Sequence, residues 1–193
     1  MTKQTIDSHL SLAILGLLSG RPLSGYGLRK VFMTTAMKAF SASPGAIYPA
    51  LRRLEKSGLI EGAVERKNTL RPRQVFALTR RGRGALIDAL SGPVSREDVI
   101  RRMDWLLLRF SFMSGLVGAG PILDFLRTLA EETAGYLEVL EEEYRRSAPG
   151  LPFSGRAALE QGVESYRATA RWAKKTYGEF KKLPAAKREG ERR

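Results

Sequence analysis

From Ser43 to Lys56 the chain reads SPGAIYPALRRLEK. On a helical wheel this places Gly45, Tyr48, Pro49, Arg52, Arg53 and Lys56 on one side and Ile47, Ala50, Leu51 and Leu54 on the other. The first side carries cations and a phenol, groups that attract phosphate and donate to the acceptor edges of bases. An α-helix fits the major groove of duplex DNA, where each base pair presents a distinct edge, so Tyr48, Arg52, Arg53 and Lys56 are candidate base readers. Ser43 followed by Pro44 is the preferred order at a helix start. The unpaired N–H groups of that first turn, together with Ser43 and Gly45, can hold a phosphate. Simple capping by Ser43 is the plainer reading, and the two are compatible.

A second basic group follows. Leu59-Ile60 and Val64 lead into the polar stretch 65–73, and Gln74-Val75-Phe76-Ala77-Leu78 follows, which predicts two strands joined by a basic loop. Lys67, Asn68, Arg71 and Arg73 have no apolar alternation to bury, and a hairpin bearing them suits a phosphate ridge or the neighbouring minor groove. Tyr26, near the start of an earlier helix, fits either a contact to the DNA backbone or closure of the core.

Other chemistries find little support. The chain has no cysteine and one histidine, His9, and it contains no nucleophile elbow, phosphate loop or metal-ligand spacing. No enzyme activity, metal or cofactor is expected, and Glu141-Glu142-Glu143 reads as a solvated helix face. The net charge of +13 is unevenly spread: residues 1–90 hold 15 Lys/Arg against five Asp/Glu, whereas residues 91–180 hold 12 against 13. One half is built for a polyanion and the other for something else.

The elements that must position these residues follow from periodicity. Leu10, Ala13, Ile14, Leu17 and Leu18 predict a first helix over about Ser8 to Ser19 with one buried stripe, ended at Gly20-Arg21-Pro22. Ser24 caps a second helix with Leu28, Val31 and Phe32 inward. The third helix runs from Ser43 to about Lys56 and stops at Gly58, and Thr79 caps a fourth through Leu90. Three helices, a hairpin and a helix in that order make a winged helix-turn-helix over residues 1–90.

After Ser91-Gly92-Pro93-Val94, Ser95 with Asp98 marks the start of a helix containing Trp105. Ile122, Leu126, Leu129, Thr133, Tyr136, Leu140 and Tyr144 form one narrow seam, and Leu159, Val163, Tyr166, Ala170, Ala173, Tyr177 and Phe180 form another. A Pro- and Gly-rich linker from Ser147 to Gly155 folds the two into an antiparallel hairpin, so residues 95–182 make a helical unit and residues 183–193 a disordered basic tail. Apolar area beside the seams calls for a second copy of the chain. Trp105, Tyr136, Leu140, Tyr166, Trp172 and Tyr177 are candidates for that interface or for stacking on a flat effector, with packing an equal account of both tryptophans. The uncharged run 110–123 is too short to span a bilayer, no membrane role is expected, and the absence of an export signal places the chain in the cytoplasm by default.

Ile14-Leu15-Gly16-Leu17-Leu18, Pro22 to Leu28, Ser43 to Ile60 and Leu78-Thr79-Arg80-Arg81-Gly82-Arg83 together resemble the PadR family of bacterial transcriptional regulators, over residues 10–90 without a gap. Trp105 to Phe110 and Ala158 through Trp172 are similar to the helical C-terminal domain of its virulence-activator relatives. Phe76 stands where that family often has Tyr, and this wing is unusually basic. The resemblance implies a mainly α fold with a small β-hairpin wing and a C-terminal helical dimerisation domain. It also implies a homodimer on double-stranded DNA that usually represses, sometimes activates, and in several members answers a small aromatic or drug-like molecule. A winged-helix adaptor that no longer binds DNA is the alternative, against which the basic third helix and wing argue.

Overall fold

The computed structural model describes residues 6, 8–35, 43–65 and 73–184. They form two compact units, Met1–Leu90 and Ser91–Arg193.

In the first unit α1 (His9–Gly20) begins at Ser8, whose Oγ accepts from the Ser11 N–H. The sequence predicts one buried stripe on it. Instead Leu12, Ala13, Ile14, Leu15, Gly16 and Leu18 are buried, and Leu10 and Leu17 are only half covered. The reason is position: α1 packs against both α3 (Pro44–Lys56) and β3 (Arg73–Leu78), so two of its faces are inside. α2 (Gly25–Thr34) buries Leu28 and Phe32, and its cap is Ser24, which accepts from the Gly27 N–H. Val31 is half covered.

The wing has three strands, not two. β1 (Leu23–Ser24) pairs antiparallel with β3, matching Leu23 to Phe76 and Ser24 to Val75. β2 (Ile60–Glu65) pairs with the other edge of β3, from Ile60 opposite Leu78 to Glu65 opposite Arg73. Two residues carry no alternation, so β1 leaves no periodic signal, and Ser24 serves both as strand end and as helix cap. α4 (Arg80–Ser91) follows, with the Gly82 N–H donating to Thr79 Oγ1 at 2.9 Å.

The second unit opens on α5 (Arg96–Arg101), capped by Ser95 Oγ. The single helix predicted from Ser95 through Trp105 is broken: Arg102 leaves the helical region, and α6 (Met103–Ser111) starts anew. The Arg102 N–H closes α5 on the Asp98 carbonyl at 2.8 Å. Its guanidinium then sits 5.0 Å from the Trp105 ring centre, so the break lets one residue hold both helices.

α7 (Ala119–Ser147) and α8 (Phe153–Lys182) form the antiparallel hairpin, joined by a 3-10 turn over Ala148–Gly150. The first seam buries Ile122, Leu126, Leu129 and Thr133, but Tyr136, Leu140 and Tyr144 are half buried. Phe125, outside that seam, is buried as well, stacked on Phe110 with ring centres 5.8 Å apart. Val163 and Ala173 are the buried members of the second seam. Arg167 ties the hairpin to itself, reaching Glu141 at 2.5 Å and also pairing with Glu164. Among the described residues no helix is long and apolar enough to cross a membrane.

Candidate nucleic-acid interface

The exposed side of α3 is the centre of the candidate site. Ile47, Ala50, Leu51 and Leu54 are at most 5% exposed, which fixes the helix by its apolar side. Gly45, Tyr48, Arg52, Arg53 and Lys56 are all exposed, and Pro49 is half covered. Arg52, Arg53 and Lys56 have no carboxylate partner among the described residues. In the second unit, by contrast, Arg96, Arg101, Arg102, Arg127, Arg145, Arg146 and Arg167 each meet a carboxylate. The cations of α3 are thus open to an outside anion.

Several contacts hold this face in place. Ser43 Oγ accepts from the Ala46 N–H at 3.2 Å, so it caps the helix, and its own hydroxyl proton remains available. A Cβ built on Gly45 would meet nothing within 4 Å, so packing within the protein does not require glycine there. It does leave the helix start open to close approach. Pro49 is tolerated within α3 and offers no N–H to the carbonyl four residues back. Tyr48, 45% exposed, lays its ring on Gly25, and Tyr26 beside it is 70% exposed, which excludes a role in closing the core.

Glu55 and Gly62, which tie α3 to the wing, were not singled out by sequence. Glu55 accepts from the Gly62 N–H at 3.0 Å, joining α3 to β2. A Cβ on Gly62 would come 2.7 Å from Glu55 Oε1 and 2.5 Å from Gln74 Nε2. Gly58 has φ +68°, the left-handed stop that ends α3, and its carbonyl accepts from Thr79 Oγ1 at 2.8 Å. A lone acid within a basic helix, and glycines inside a strand and a helix start, are the signals that mark such close approaches.

Of the wing cations, Lys67, Asn68 and Arg71 lie outside the described residues. Arg73 is exposed and pairs across the strands with Glu65 at 2.7 Å, so part of its charge is spent within the wing.

In the second unit the candidate aromatics find partners inside the chain. Trp105 is 7% exposed. Trp172, half buried, meets Phe110 edge-on at 5.6 Å, and Tyr136 meets Tyr166 edge-on at 4.9 Å. Tyr166 Oη donates at 3.3 Å to the carbonyls of Val99 and Ile100, and burial with Tyr136 nearby raises its pKa from the ordinary value. Leu140 and Tyr177 are half buried. The structure does not bring Trp105 and Trp172 into one aromatic pair.

A winged helix with an outward basic third helix, followed by a helical hairpin, defines a class of regulators that read DNA. Residues 14–88 match the family described as the transcriptional regulator PadR-like family. The chain is 35% identical over 148 residues to the negative transcriptional regulator PadR of Bacillus subtilis strain 168, covering 75% of this chain and 80% of that one. Among solved structures, Bacillus subtilis PadR in complex with operator DNA aligns at 23% identity, covering 88% of this chain and 97% of that one, with a TM-score of 0.41. The Vibrio cholerae virulence activator AphA aligns at 22% identity over 89% and 98%, with a TM-score of 0.38. The chain belongs to the PadR-like family of transcriptional regulators.

Proposed function

We propose that this protein is a homodimeric, sequence-specific DNA-binding repressor. The observation that carries the reading is the face of α3: three exposed cations without carboxylate partners among the described residues beside an exposed tyrosine, on a helix pinned by its other side. Residues 1–90 would bind DNA, with Tyr48, Arg52, Arg53 and Lys56 at base edges. Ser43, Gly45 and Tyr26 would meet phosphates, and Lys67, Asn68, Arg71 and Arg73 would reach the flanking backbone or minor groove. Repression is carried over from the 35% identical negative regulator.

Residues 95–182 would supply the dimer contact. Ile100, Leu107, Val139 and Phe153, the last 78% exposed, are apolar side chains that a second copy would cover. A small aromatic effector would act on the same unit, with Trp172 as its reporter, being half buried and in contact with Phe110. Footprinting on DNA upstream of the gene tests the whole reading: two protected half-sites about one helical turn apart, roughly 34–36 Å, are expected. Binding to upstream and random duplexes with equal affinity would overturn sequence specificity, and binding to neither would favour an interaction adaptor.

A further inference from the structure

We infer that Arg29 is a further DNA contact: its guanidinium meets a backbone phosphate on the flank of α2 next to Tyr48, so that α2 as well as α3 is charge-paired to the duplex. The inference rests on the DNA-binding reading above and deepens it.

From Ser8 to Leu54 the chain contains no Asp or Glu, while Arg21, Arg29, Lys30, Lys38, Arg52 and Arg53 fall within that stretch. The first acid after it, Glu55, is bound to the Gly62 N–H, and Glu65 is bound to Arg73. Exposed cations need no partner, since water serves them. Arg29 differs from the exposed Lys30, Arg52 and Arg53, because it is half covered and its Nε is buried with no hydrogen-bond partner among the described residues. A buried donor left unpaired on a charged group costs free energy that nothing among the described residues of this unit returns. Sites that bind something tolerate such a conflict.

Leu28 and Phe32 turn α2 into the core, and Gly25 lies against the Tyr48 ring. Arg29 stands one turn beyond Gly25 and three residues beyond Tyr26, which places it on the α2 flank that both share. That flank therefore gathers the exposed Tyr26, the Tyr48 ring from α3 and a guanidinium without a partner among the described residues. In a helix-turn-helix the helix before the reader crosses the DNA backbone, and a flank of this composition suits the crossing. Arginine carries five donors in a rigid fork, so its outer nitrogens can hold two phosphate oxygens while its stem stays packed. Phosphate contacts fix register without reading sequence, so Arg29 adds affinity for every duplex alike.

The test uses the full chain with Arg29→Met, which keeps a stem but has no charge or donors, and Arg29→Lys, which keeps the charge. Each is titrated against the footprinted operator duplex and a random duplex over salt concentrations from about 50 to 200 mM, beside thermal unfolding of the free protein. Arg29→Met should unfold at the wild-type temperature or slightly above it, because no partner is lost. Its affinity for both duplexes should fall about three- to tenfold, and its plot of log affinity against log salt should be shallower by about one per protomer. Arg29→Lys should keep the wild-type slope. Wild-type affinity and slope in Arg29→Met overturn the inference. So does a drop in unfolding temperature of about 5 °C or more with the slope unchanged, since Arg29 would then be a packing residue. A loss on the operator alone overturns it as well, because Arg29 would then be reading bases. If wild type binds neither duplex, the DNA-binding reading itself fails, a result distinct from the others, and the inference goes with it.

Discussion

The ring of Tyr48 rests on the backbone of Gly25: a Cβ at Gly25 would lie 2.7 Å from Tyr48 Cε1 and 3.1 Å from Cζ. The absence of one methyl group at the start of α2 thus lets α3 set the edge of its tyrosine ring against its neighbour. Gly25→Ala should push that ring aside. Since a ring edge on a flexible side chain can move, about 1–2 kcal/mol of stability should be lost, while DNA affinity falls with Tyr48 displaced. Thermal unfolding beside a binding titration measures both, and unchanged affinity would show that Tyr48 does not touch DNA from this position.

Gly82 is a harder constraint. A Cβ there would fall 1.9 Å from the Leu59 carbonyl oxygen, and backbone cannot step aside as a ring can. Gly82→Ala should cost about 3 kcal/mol or more, the range of strong overpacking, and lower the midpoint of urea unfolding accordingly. A change under about 1 kcal/mol would mean that α4 packs less closely than the structure has it.

Tyr166 should give the protein an alkaline weakness. Its folded pKa is raised, chiefly by burial and then by Tyr136, so the folded state keeps the phenol proton at a pH where the unfolded chain has lost it. Its contribution is complete below the unfolded value of about 10 and is lost as pH rises through the higher folded value. Tyr166→Phe should remove this part of the pH dependence and cost about 0.5–1.5 kcal/mol at neutral pH for the lost hydrogen bond. Parallel stability curves for the two proteins above pH 10 would count against it.

The wing should respond to Glu55. Glu55→Ala removes the acceptor of the Gly62 N–H and with it the tie between α3 and β2. Affinity for all duplexes should fall a few-fold, with about 1 kcal/mol of stability lost, whereas Glu55→Gln, which keeps a carbonyl acceptor, should restore most of it. Equal effects of the two variants would point to charge alone.

Much of α3 was legible in sequence because apolar and basic residues separate cleanly around it, and because Ser43, Pro44 and Gly58 mark its ends. The four-residue core face Ile47, Ala50, Leu51 and Leu54 is buried as its spacing predicts. The failures have physical causes. α1 is covered on two faces, which erases the single stripe that periodicity seeks. β1 is too short to alternate. The break at Arg102 depends on Asp98 and Trp105, neither of which marks a helix end by type. Phe125 and Gly25 act through tertiary contacts that spacing along the chain does not encode.

The account stands or falls on Arg52 as a reader of base edges. Wild type and Arg52→Ala should be titrated in parallel against the footprinted operator duplex and a random duplex at one fixed salt concentration. A loss of about 1–3 kcal/mol on the operator, with little change on the random duplex, is the expected result. Equal losses on both would contradict it, because Arg52 would then be meeting phosphates only.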